Sequence, residues 1–124
     1  MATVLVVDDV EMFRSVVAHA LQGAGHRPLC AADGAAGLAV LEAERVDLVL
    51  LDLAMPKMNG VEFLQRLHAD ERLRSVPVVV VSASTQAPQA QSVKALGAQG
   101  QLLKSRFSLR DLIQCVNDLL KHAA

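Results

Sequence analysis

The sequence predicts an α/β fold in which five parallel strands form a doubly wound sheet with five helices on its two faces. Two observations carry this. Short, nearly unbroken apolar runs such as "LVLLD" and "VPVVVVS" read as strands covered on both faces. Between them lie stretches with apolar residues at helical spacing, and strand, helix, strand units of this length require parallel strands with right-handed crossovers.

Taken in order, "TVLVVDD" is a Val/Leu strand ended by two acids, and "VEMFRSVVAHALQGAG" is a helix with Val10, Phe13, Val17, Leu21 and Ala24 inward, closed by Gly23 and Gly25. "HRPLCAA" is a weaker second strand, and "GAAGLAVLEAE" an Ala-rich helix with Leu38 and Leu41 inward. "VDLVLLD" is the third strand, and Gly60 to about His68 the third helix. After "VPVVVVS", Pro88 sits at the first turn of a fourth helix running through Val93 and Leu96 to Gly97. "GQLLK" is the fifth strand. From Ser108, the stripe Leu109, Leu112, Ile113, Val116, Leu119 and Leu120 marks a fifth helix, opened by a capping box of Ser108 and Asp111.

A chain of 124 residues suits one domain, residues 1–124, with a core that must be aliphatic, because three phenylalanines are the whole aromatic content. Twelve basic residues against thirteen acidic ones give a net charge of −1, and the basic residues are scattered, which argues against nucleic acid as a partner. No apolar run approaches the length that crosses a bilayer, and the chain reads as a cytoplasmic protein with no membrane partner. Cys30 and Cys115 read as two buried, reduced thiols, and His19, His26, His68 and His122 as surface or rim residues without ligand spacing.

Parallel strands of such a sheet all end on one edge, where open α/β sheets bind their ligands. The first strand ends there in Asp8 and Asp9, the third in Asp52, the fourth in Ser82 and the fifth in Lys104. In the commoner order, 2-1-3-4-5, the first and third strands are neighbours, which brings the three acids together. Carboxylates so close repel one another unless a cation sits among them, and a hard divalent ion such as Mg²⁺, or Mn²⁺, suits. Lys104 then supplies a point charge and Ser82 a hydroxyl for phosphate oxygens. The set describes phosphoryl chemistry, with Asp52, flanked by all the others, as the nucleophile.

These residues resemble a known family. "LVVDD", "LLDLAMPKMNG", "VVVVSAS" and "LLKS" are similar to the four motifs of response-regulator receiver domains of two-component signalling, and the resemblance spans essentially the whole chain. It implies a flavodoxin-like fold in which Asp9 contacts Mg²⁺ directly, Asp8 acts through water and the carbonyl of Ala54 is a further ligand. It also implies that Asp52 is the phosphoacceptor, Ser82 the switch hydroxyl and Lys104 the phosphate-pairing lysine. The donor would be a histidine kinase or a histidine phosphotransfer protein. A downstream protein target would dock on the fourth helix, fifth strand and fifth helix, with the receiver a monomer or weak homodimer. Such a protein is not a turnover enzyme, since it only phosphorylates and dephosphorylates itself.

Taken singly, each residue has a plainer role: Asp9 as an N-cap ahead of Val10 and Glu11, Asp52 as a turn former before Pro56, Lys104 as a solvated lysine. The joint placement overrides these. The chain also departs from the family. Gln101 stands where an aromatic usually does, and Ser105 stands where a proline usually follows the lysine in a cis peptide, so Lys104-Ser105 is expected trans. Ala54 and Ser84 offer no acid or amide to orient water on a phosphoaspartate. Gln101 and Ser105 suggest the alternative of a pseudo-receiver that binds its partner without phosphate. A haloacid-dehalogenase phosphatase needs an acid where Ala54 stands, and a dinucleotide-binding domain needs a Gly-rich turn where "DDVEMF" stands. The initial Met and a final helix reaching almost to Ala124 favour a stand-alone receiver over one cut from a longer protein. On that helix Arg110, Asp111, Asn117, Asp118 and Lys121 form an exposed polar face.

Overall fold

Val and Leu dominate four of the five strand segments, and in the computed structural model, which describes residues 2–52, 60–82, 100–103 and 108–122, they form the sheet. The elements are β1 (Thr3–Val7), α1 (Glu11–Gly23), β2 (Arg27–Ala31), α2 (Gly34–Ala43), β3 (Leu48–Asp52), α3 (Gly60–Ala69), β4 (Val78–Ser82), β5 (Gly100–Leu103) and a C-terminal helix α4 (Leu109–His122). The five strands are parallel in the order β2-β1-β3-β4-β5, the doubly wound arrangement expected. The helix expected over Pro88 to Gly97 lies outside the described residues, as does the Lys104-Ser105 peptide.

Side-chain alternation along the strands splits the core in two. Leu5, Val7, Val49, Leu51, Val78 and Val80 pack with Leu41 of α2 and Phe63, Leu64 and Leu67 of α3. Their neighbours Val4, Val6, Leu48, Leu50 and Val79 pack with Val17 and Leu21 of α1 and with Leu112 and Val116 of α4. The strand β3 is central and buried at all five positions, which is why it has no polar residue before Asp52. Edge position explains the weaker signal of β2, which is half-exposed and tolerates Pro28 in its ladder.

Two helix starts follow from side-chain capping. Asp33 accepts from the Ala36 N–H at 2.8 Å to open α2, and Ser108 and Asp111 exchange hydrogen bonds of 3.2 Å each way to open α4 as the capping box predicts. A Cβ on Gly37 would stand 3.0 Å from Val7 Cγ2 and 3.1 Å from Phe63 Cε2, so the absence of a side chain there lets α2 lie close on the sheet.

Three expectations need correction. Val10 and Ala24 are not part of the buried stripe of α1: both are exposed flanking residues, Val10 at the N-cap and Ala24 at the C-cap. The cysteines are not buried in the core: Cys30 lies on the edge strand and is exposed, and Cys115 is half-buried on the flank of α4. Partial burial still holds both thiols above the ordinary cysteine range, with Arg14 opposing the shift at Cys30 and Asp118 adding to it at Cys115. Asn117 is not on an open polar face: it is half-buried, and its Oδ1 lies 2.7 Å from Nε2 of His26, a half-buried residue between α1 and β2. The plainer role of Asp9 as an N-cap, already set aside, is absent too, since Val10 holds that position without a side-chain cap.

Candidate functional site

The site is built where β1 and β3 end side by side. Their register pairs Val7 with Leu51, so the next residues, Asp8 and Asp52, come level at the carboxyl edge of the sheet. Asp8 and Asp52 are almost fully buried, at 1% and 5% exposure, while Asp9 is exposed. One carboxylate oxygen from each of Asp8, Asp9 and Asp52 lies within 4.8 Å of the others. Buried acids seldom stand together unless compensating groups lie beside them, which makes this cluster the candidate site.

Local hydrogen bonds fix the acid pair. The N–H of Asp8 donates to the carbonyl of Ala31 on β2 at 3.1 Å, extending the sheet one residue past β1. Its Oδ1 accepts from the Val10 N–H at 2.8 Å, an Asx turn that steers the chain into α1. Its backbone carbonyl accepts from Nη1 of Arg14, one turn into that helix. This last contact was not singled out from the sequence. Its signal was the spacing: helical side chains lean toward the N-terminus, so an arginine five residues after Asp9 can reach back over the acid pair.

Of the other residues expected here, Ser82 is the last residue of β4, paired in register with Leu103, the last of β5. The backbone of Gln101 pairs with Val80. Ala54, Ser84 and Lys104 lie outside the described residues.

The donor set fits a hard divalent cation. Three carboxylate oxygens are the ligands Mg²⁺ and Mn²⁺ prefer, and an octahedral ion with bonds of about 2.1 Å spaces its ligand oxygens by roughly 3 to 4 Å, within the spread found here. A soft thiolate or imidazole is absent from the cluster, which disfavours zinc.

A parallel sheet of this order with an acid trio at its switch point defines a class: a doubly wound α/β domain with a carboxylate cluster suited to a divalent cation. The chain matches the model of the response regulator receiver domain over residues 4–117, and it belongs to that family, with its flavodoxin-like fold. It is 34% identical over 122 residues to Protein PilH of Pseudomonas aeruginosa, covering 97% of this chain and 98% of that one. The Chemotaxis protein CheY of the same organism is 31% identical over 102 residues, 82% of each chain. Among solved structures, chemotaxis protein CheY4 of Vibrio cholerae superposes with a TM-score of 0.89 at 35% identity, covering 95% of this chain and 98% of that one. No helix among the described residues is long and apolar enough to cross a membrane.

Proposed function

We propose that residues 1–124 act as one phosphoacceptor receiver domain, in which Asp52 takes a phosphoryl group from the phosphohistidine of a histidine kinase or histidine phosphotransfer protein. The observation that carries this reading is the convergence of Asp8, Asp9 and Asp52 at the end of β1 and β3 in a chain of the receiver family. Asp9 would bind Mg²⁺ or Mn²⁺ directly, Asp8 through water, and Asp52 and the Ala54 carbonyl would complete the protein ligands. When bound, the cation supplies positive charge against the phosphoryl oxygens and screens the three acids from one another.

An Asp52 carboxylate oxygen attacks phosphorus in line. The P–N bond to the donor imidazole breaks and an aspartyl phosphate forms. Lys104 pairs with one phosphoryl oxygen, and the Ser82 hydroxyl donates to another. Burial of Asp52 at the sheet edge orients its carboxylate and limits the water that competes for phosphorus. The product acyl phosphate is lost by self-hydrolysis, so the chain is a signalling component of the cytoplasm and not a turnover enzyme. Its downstream protein target docks on the segment before β5, on β5 and on α4, with the receiver itself a monomer or weak dimer. The alternative, a pseudo-receiver read from Gln101 and Ser105, requires a partner that binds the unmodified chain.

Incubation with acetyl phosphate or phosphoramidate, followed by intact-mass measurement, tests the reading. A gain of one phosphoryl group that needs Mg²⁺ and disappears in folded Asp52→Asn is expected. No gain with either donor, in a protein that still binds the cation, overturns it in favour of the pseudo-receiver.

A further inference from the structure

Arg14 reaches the acid pair from the neighbouring helix. It lies near the N-terminal end of α1, where the helix dipole disfavours a cation, and it is half-buried. Its guanidinium Nη1 donates to the backbone carbonyl of Asp8. The same residue's N–H is held by Ala31 and its carboxylate by the Val10 N–H. Among these bonds, that from Arg14 acts directly on the peptide that joins Asp8 to Asp9. That peptide sets the direction in which the Asp9 carboxylate leaves the backbone, and Asp9, being exposed, is held by packing less than the buried Asp8 and Asp52.

We infer that Arg14 is a positioning residue: its bond to the Asp8 carbonyl fixes the Asp8-Asp9 peptide and so holds the Asp9 carboxylate in the divalent-cation site. This inference rests on the metal-binding role proposed above for Asp9. It has an unusual consequence of sign. A guanidinium close to three acids lowers cation affinity by charge, so its removal should tighten binding if charge were its whole effect. If the hydrogen bond positions Asp9, its removal weakens binding.

The test is Mn²⁺ binding to the full chain, followed by the loss of the free-ion electron paramagnetic resonance signal. Arg14→Met keeps the packing of the aliphatic stem and removes both charge and donors, whereas Arg14→Lys keeps a charged donor of similar reach. The Met variant is expected to bind Mn²⁺ about tenfold more weakly, the low end for a residue supporting a ligand from behind, and the Lys variant to recover most of the loss. Helical circular dichroism and the thermal midpoint show whether each variant is folded, and if Arg14→Met is not, Arg14→Gln takes its place with the same expected weakening. Unchanged or tighter binding in a folded variant that lacks the arginine overturns the positioning role. Failure of the unaltered chain to bind Mn²⁺, or binding that survives Asp9→Asn and Asp52→Asn, overturns the metal-binding reading itself and this inference with it.

Discussion

Asp9→Asn removes one of three converging carboxylates while keeping the size of the side chain, so its effect on stability has two parts that the geometry separates. Without a divalent cation, the substitution removes a repulsion. Asp8 and Asp9 are neighbours in the unfolded chain too, so the repulsion specific to the fold is that between Asp9 and Asp52, whose oxygens lie within 4.8 Å. Even at the dielectric constant of bulk water, fitting for an exposed partner, two charges at that distance repel by about 0.9 kcal/mol. With an unfolding entropy of about 2.1 cal/mol/K per residue, a 124-residue chain gains roughly 3 to 4 °C in thermal midpoint from that relief. With the cation present the order reverses. At a concentration ten times its dissociation constant, Mg²⁺ stabilises the unaltered chain by about 1.4 kcal/mol, or roughly 5 °C, and the variant, having lost a ligand, gains little of this. Thermal unfolding followed by circular dichroism, in EDTA and in saturating Mg²⁺, should therefore show the two melting curves exchange places. Equal gains on adding Mg²⁺ would refute cation binding at the trio, and no gain for the variant in EDTA would refute the repulsion.

Further outcomes follow from other parts of the molecule. Gly37→Ala places a methyl group 3.0 Å from Val7 and 3.1 Å from Phe63, so overpacking of about 1 to 3 kcal/mol should exceed the helix-propensity gain of about 1 kcal/mol and lower the urea midpoint. Cys30 and Cys115 have thiols raised by partial burial, so alkylation by iodoacetamide at pH 8 should be slower in the folded chain than in urea, with equal rates contradicting the burial. The Asp70 carboxyl is held below its usual range mainly by the Arg72 N–H, with help from the Arg72 guanidinium. A depressed folded-state value stabilises above the unfolded value of about 3.9 and is lost as pH falls through the folded one, so Asp70→Asn should narrow its stability difference from the unaltered chain in acid.

Much of the fold was legible because its signals are local. Unbroken Val/Leu runs mark strands buried on both faces, and the box of Ser108 and Asp111 fixes the start of α4 within one residue. The acid trio was legible because parallel strands share an edge, so that residues 44 positions apart in sequence become neighbours once β1 and β3 pair. What was not legible depends on who packs against whom. Val10 fits the apolar period of α1, yet the Asx turn at Asp8 starts the helix one residue later and leaves Val10 in solvent. Asn117 reads as one more polar residue of an outer face until His26, 91 residues earlier, is placed beside it. Cys30 reads as buried because its neighbours are apolar, but an edge strand exposes what a central strand would cover.

The central claim is that Asp52, and no other acid of the trio, carries the phosphoryl group. Treating the phosphorylated chain with borohydride reduces an aspartyl phosphate to homoserine and marks the modified position permanently, and peptide mass spectrometry then reads it. Homoserine at position 52, formed only when Mg²⁺ was present during phosphorylation, is the expected result. Homoserine at position 8 or 9, or a phosphoryl group retained in Asp52→Asn at the normal rate, would contradict the account.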